Sequence, residues 1–211
     1  MTKLKLWISN GACSLAPHIV LHETGLDFET VVISVMGGFP KEYLHINPKG
    51  KVPILELDGN IITEIPAIMT AISQLCPEKN LLGTTPLEIV RTYEWFNWIS
   101  GVLHGQGYGK VFRPARFTDD EQQFDAVRAD GKKTVQECYS DIDKKLTGLY
   151  AVGENFTAVD AYLLVFYLWG GRTGFDMKAE YPNYTRLVHK LRERESIRKA
   201  VDAEGLDLSR L

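Results

Sequence analysis

Asn47-Pro48-Lys49-Gly50-Lys51-Val52-Pro53-Ile54-Leu55-Glu56-Leu57-Asp58-Gly59-Asn60-Ile61-Ile62-Thr63-Glu64-Ile65-Pro66 is the stretch on which the fold turns. Asp58-Gly59 lies between two apolar runs, 54–57 and 60–63, and two such residues suit the positive φ angles of a tight hairpin. Pro66 sits well in the first turn of a helix, and the apolar pattern carries that helix to about Leu75. At the other end, Asn47-Pro48 before Val52-Pro53 and the hairpin after it favour a cis Val52–Pro53 bond over a trans proline opening a strand. A cis X-Pro bond turns the N–H and C=O of the preceding residue outward, like an unpaired strand edge.

Working outward, Leu4–Ser9 is a short strand candidate closed by Asn10-Gly11. Ser14 is placed to cap a helix over Leu15–Thr24, which Gly25 stops. Phe28–Ser34 is rich in β-branched residues and reads as a buried strand. A loop with Gly37, Gly38 and Pro40 leads to a helical turn near Lys41–Leu44. The order is β-α-β-α-β-β-α. Pro77–Pro86 is a linker, and beyond it only helical periods recur. Leu87, Val90, Tyr93 and Phe96 fall on one face. Phe124, Val127, Gly131, Val135, Cys138, Ile142, Leu146 and Leu149 step by three and four. Thr157–Gly170 is apolar almost all round, as in the central helix of a bundle, and Tyr184–Leu191 and Ser196–Val201 are shorter outer helices. The expected units are an α/β domain over 1–80 and an all-helical domain over 87–211.

Twenty-four Lys and Arg against 27 Asp and Glu, a formal charge of -3 with no basic block, argue against nucleic acid as a partner. The longest apolar run, Ala161–Trp169, is about half a membrane span. The first residues lack the apolar core of a signal peptide. Cys13, Cys76 and Cys138 are too scattered for a disulfide framework and suit a reducing compartment. No cluster suggests a metal.

Five segments carry a resemblance that covers essentially the whole chain: Ser9–His18 around Cys13; Asn47–Pro53; Thr63-Glu64-Ile65-Pro66-Ala67-Ile68; Trp95-Phe96-Asn97-Trp98-Ile99-Ser100 followed by Leu103-His104; and Phe156-Thr157-Ala158-Val159-Asp160. In this order the chain resembles the glutathione transferases, most closely the bacterial beta class and its fungal relatives. The resemblance implies a thioredoxin-like N-terminal domain, an all-α C-terminal bundle, and a cytoplasmic homodimer active in detoxification. It implies glutathione as co-substrate, its cysteinyl backbone pairing with Val52 beside Pro53. Glu64 then takes the γ-glutamyl ammonium, the N–H of Ile65 the α-carboxylate, and Lys51 the glycyl carboxylate. Ile65 stands where the family usually has serine, so a hydroxyl contact is lost. Asn97 is expected to reach the neighbouring subunit's glutathione and His104 to line the cleft.

Cys13 lies at a helix N-terminus, which can lower a cysteine pKa, and resembles the beta-class cysteine facing the glutathione sulfur; a buried structural cysteine is the alternative. Ser14 is the rival activator. The early tyrosine of other classes is replaced by Trp7 and Ile8. Gly105, Gly107 and Gly109 are expected to break or loosen the helix beyond His104. Tyr108, Phe112, Phe166 and Trp169 are candidates for the pocket of an apolar electrophile, with membership of the core as the alternative. Thr157-x-x-Asp160 is a capping box. His18 and His22, spaced by one helical turn, are expected to be a solvent-facing pair. The expected reaction is conjugation of glutathione to an apolar electrophile or its exchange with a disulfide. A non-catalytic binding or assembly module is the alternative.

Overall fold

The structure, a computed structural model, describes residues 2–207. Its sheet is built around the expected hairpin. β1 (Leu4–Ile8) is followed by α1 (Leu15–Thr24), β2 (Glu29–Val32), β3 (Ile54–Leu57), β4 (Asn60–Thr63) and α2 (Ile65–Leu75). Asp58 at φ 49° and Gly59 at φ 81° form the β3–β4 turn, with Leu57 opposite Asn60. The strand order is β2-β1-β3-β4, with β1–β2 parallel and the other pairs antiparallel. Alternation along β1 sends Leu4, Leu6 and Ile8 toward α1 and α2, and Trp7 to a smaller cluster with Ile33 and Ile54.

β2 corrects the expectation of a buried strand: it is a sheet edge, and Val32 is 58% exposed. A β-branched run marks the extended conformation but not the covering of its faces.

The remaining elements are helical among the described residues: α3 (Pro86–Trp98), α4 (Gly109–Phe112), α5 (Phe124–Lys145), α6 (Ala158–Arg172), α7 (Met177–Glu180), α8 (Pro182–Leu191) and α9 (Glu195–Ala203). The glycines after His104 loosen the helix without breaking it. Ile99–Tyr108 is a π-helical continuation of α3 leading directly into α4. A Cβ on Gly107 would lie 2.9 Å from Val135, and one on Gly131 2.8 Å from the Gly107 carbonyl. These glycines therefore let α5 cross the π segment at close range, a packing use of glycine rather than a stop. Of the face proposed for α3, Phe96 is buried, while Leu87 and Val90 are 63% and 60% exposed. α6 is buried from Ala158 to Gly170, and the capping box at its start is formed.

His18 and His22 also depart from expectation. His18 is buried, and its Nδ1 donates to Glu204 Oε1 at 2.9 Å, in the turn that ends α9. The His22 ring packs at 4.9 Å from both His18 and Phe28. Burial, then the His18 and Lys199 charges, push it down to about 4. α9 folds back over the face of α1 that local spacing alone left open.

Candidate active site

The site begins at the loop before β3. Asn47 is buried; its amide donates to the Lys51 carbonyl at 2.7 Å, and its Oδ1 accepts from Lys49 N at 3.1 Å. This clamp delivers the chain to Val52–Pro53, which is cis. The Val52 carbonyl accepts a hydrogen bond from Cys13 Sγ at 3.5 Å, so the loop and the start of α1 meet at one point.

Cys13 is only 6% exposed. Burial pushes its thiol up to about 12, opposite to the expected effect of the helix terminus, although backbone hydrogen bonding and the charges of Arg113 and Lys51 act in the expected direction. The field of a helix end is worth about 1 kcal/mol in most settings, less than the desolvation of a thiolate. Ser14 departs as well. Its buried hydroxyl accepts from Ser9 N at 3.0 Å and donates to Ser9 O at 3.2 Å, and it makes no cap bond. The group tightens the turn before α1.

The turn is held from the helical half of the chain. Gly11, at φ 68°, donates its N–H to Glu204 Oε2 at 2.8 Å. Its carbonyl accepts from Trp169 Nε1 at 2.9 Å and Arg172 Nη1 at 3.3 Å. A Cβ here would lie 2.8 Å from the Arg172 guanidinium, so only glycine suits both the angle and the space.

Glu64 precedes α2 at φ 73°, a rare conformation for a residue with a side chain. Its carboxylate accepts from Lys49 Nζ at 2.7 Å, and the same ammonium donates to Thr63 Oγ1 at 3.0 Å. Lys51 is exposed and, among the described residues, has no side-chain hydrogen bond or ion pair.

His104, half-buried on the π segment, faces these groups from the helical half. Burial first, then Lys51, Arg116 and Arg113, push it down to about 4, with Glu64 opposing. Its Nδ1 is 3.4 Å from the Tyr162 hydroxyl, and its ring lies 5.5 Å from Phe166 and 5.4 Å from Trp169. The aromatic candidates do come together: Tyr108 stacks on Phe112 at 5.2 Å, and Trp169 lies 5.0 Å from Tyr108 and 5.3 Å from Phe112. Tyr108, Phe166 and Trp169 are nevertheless buried, and Phe112 alone of the four is broadly exposed, at 50%. The first three are the floor of the cluster, and Phe112 is its open edge. Asn97 is exposed on α3 and makes no side-chain hydrogen bond among the described residues.

Sequence reading passed over Lys49, Tyr162, Arg113, Arg116 and Glu204. Only Lys49, inside the Asn47–Pro53 segment, carried a local signal.

A thiol beside a cis-proline carbonyl, an acid at a helix N-terminus and a helical bundle closing over both define a thiol-handling protein of mixed α/β and helical build. The chain matches the family models for the glutathione S-transferase N-terminal domain over residues 11–75 and C-terminal domain over residues 109–195. It is 33% identical to glutathione S-transferase GstA of Escherichia coli O157:H7, over 96% of this chain and all of that one. A solved glutathione transferase homologue from Sulfitobacter with bound glutathione superposes with a TM-score of 0.91 at 28% identity, over 98% of this chain and 100% of the other. The beta-class glutathione S-transferase of Sphingomonas chungbukensis gives 0.85 at 33% identity, over 96% and 100%. The chain belongs to the glutathione S-transferase family.

Proposed function

We propose that this chain joins the thiolate sulfur of glutathione to small apolar electrophiles, the new carbon–sulfur bond forming as the leaving group departs with its electron pair. The observation that carries this reading is the meeting of Cys13 Sγ with the Val52 carbonyl, across from Glu64 at the start of α2. The peptide backbone of glutathione pairs beside Val52. Its γ-glutamyl ammonium takes the place of the Lys49 ammonium on Glu64, its α-carboxylate meets the Ile65 N–H, and its glycyl carboxylate meets Lys51. Helix N-terminal N–H groups favour such anions.

The sulfur then lies between Cys13 and His104. The Cys13 S–H, held by the Val52 carbonyl in the free protein, turns to the glutathione sulfur once the glutathione backbone N–H takes that carbonyl, and with its raised pKa it donates a proton and is not itself a thiolate at neutral pH. His104 is neutral at pH 7, and its Nδ1 lies 3.4 Å from the Tyr162 hydroxyl; in the tautomer in which Tyr162 donates to Nδ1, the ring proton is on Nε2 and serves as a second donor. This favours conjugation over exchange through a Cys13 mixed disulfide, and over Ser14 as activator, since the Ser14 hydroxyl is spent on Ser9. In the folded protein Cys13 is expected to resist iodoacetamide at pH 7 and to react once urea unfolds the chain. Rapid alkylation of the folded protein would restore the exchange reading.

Retention on immobilised glutathione, followed by conjugation of 1-chloro-2,4-dinitrobenzene, tests the function. Retention without turnover would indicate the binding-module alternative. Glu64→Gly is expected to raise stability by about 1 kcal/mol, because glycine adopts positive φ freely, while glutathione affinity falls. Loss of stability with unchanged affinity would remove Glu64 from the site.

A homodimer fits the exposed stripe Leu87, Val90, Glu94 and Asn97 on α3, which would carry Asn97 toward a neighbouring subunit's glutathione. Cytoplasmic residence fits the three free cysteines, and a detoxifying role fits the conjugation of apolar electrophiles. No helix among the described residues is long and apolar enough to cross a membrane.

A further inference from the structure

The helical half ends its aromatic cluster on two cations that no described side chain balances. Arg113 closes α4, its N–H bonded to the Gly109 carbonyl at 2.9 Å, and Arg116 N bonds the Arg113 carbonyl at 3.1 Å. This spacing in a 3₁₀ turn, seated by the buried Pro114, sets both side chains on one side. Two other cations of this region are matched: Lys110 pairs with Asp130 at 2.5 Å and Arg128 with Asp125 at 2.9 Å. Among the described arginines, only Arg113 and Arg116 have no side-chain hydrogen bond or ion pair. Two adjacent like charges left without a counter-ion are unfavourable in the folded protein alone, and become favourable when an anion bridges them.

Their position ties that anion to the reaction. Arg113 directly follows Phe112, the exposed edge of the cluster, which packs on Trp169, and Trp169 in turn binds Gly11 at the turn before Cys13. The charge of Arg113 is felt by both Cys13 and His104, and that of Arg116 by His104. Arg116 is itself held below the usual arginine range by burial and by Arg113. We propose that Arg113 and Arg116 select an electrophile that carries a carboxylate on its aromatic body, the ring lying against Phe112 and the carboxylate bridging the two guanidiniums. Arginine suits this task because its planar fork matches carboxylate geometry. This inference rests on the conjugation reading above and names the substrate class of the same site.

The test compares two unreactive conjugates, S-(4-carboxy-2-nitrophenyl)glutathione and its 4-carbamoyl counterpart, by isothermal titration calorimetry. Their glutathione portions are identical, so the ratio of affinities isolates the anion. The native protein is expected to prefer the carboxylate by on the order of tenfold, and Arg113→Gln/Arg116→Gln to abolish that preference. Lys110→Gln, which breaks the pair with Asp130 and the contact over the Phe117 ring but touches neither arginine, is expected to keep it. Equal affinities in the native protein, or a preference that survives loss of both arginines, would overturn the proposal and leave conjugation standing. A fall in affinity for both conjugates alike in the double variant would also overturn it, assigning the arginines to glutathione's own carboxylates. Failure of the native protein to bind either conjugate would remove the glutathione site and this inference together.

Discussion

Glu204→Ala is expected to lower the unfolding free energy by about 3–5 kcal/mol, since it leaves two buried hydrogen-bond donors unsatisfied at about 1–3 kcal/mol each. For a chain of this size that corresponds to a fall in Tm of roughly 10 °C or more. The Glu204 side chain is fully buried, and its two oxygens serve two partners, His18 Nδ1 and Gly11 N. Alanine leaves both donors in a dry interior, and an unmade buried hydrogen bond costs more than a made one contributes. The double variant His18→Leu/Glu204→Leu is expected to recover much of the loss, since an apolar pair of similar volume removes the polar demand at His18. Equilibrium urea unfolding of the three proteins measures this. A loss below about 1 kcal/mol for Glu204→Ala would show that the pair is incidental to stability. The same variant frees one side of Gly11, leaving the turn held by Trp169 and Arg172 on its carbonyl.

The parts of the fold legible in the sequence are those written in neighbouring residues. Asp58-Gly59 announces its hairpin because positive φ is a local demand, and the register from Leu57 and Asn60 follows from it. Asn47, Val52-Pro53, Glu64 and the capping box are likewise short-range grammar. What escaped the reading depends on packing across long stretches of chain. His18 and His22 look like a surface pair until α9, whose closing turn carries Glu204, covers them. A helix N-terminus argues for an acidic Cys13 until burial reverses the balance. Arg113 and Arg116 sit in a polar segment where charged side chains ordinarily face solvent, so nothing in their spacing marks them. The glycines after His104 show the same limit. Locally they read as breakers, but Gly107 and Gly131 meet across two helices, where the absence of a side chain permits contact.

Asp160→Ala is the second change expected to be severe, at about 3 kcal/mol, and it acts through the start of the central helix rather than its apolar body. Asp160 is fully buried. One oxygen accepts from Thr157 N at 2.7 Å and the Thr157 hydroxyl at 3.1 Å, and the other from Ala151 N at 2.8 Å. Alanine strips the cap and leaves two backbone donors unpaired. Asp160 also gives stability a pH dependence whose sign is opposite to that of most carboxylates. Burial outweighs the hydrogen bonds and the Arg194 charge and holds Asp160 up at about 6. In the unfolded chain an aspartate titrates near 4, so between about pH 4 and 6 the native state binds more protons than the unfolded state. The Asp160 contribution to stability therefore rises as pH falls through 6 toward 4, by up to about 3 kcal/mol, and is lost above pH 6. Asp160→Asn, which cannot titrate, removes this slope. Urea midpoints for native protein and Asp160→Asn between pH 7 and 4.5 are expected to diverge, the native protein gaining on the variant as acid is added. Convergence over that range would mean that the three hydrogen bonds, each favouring the ionised form, outweigh the burial of Asp160.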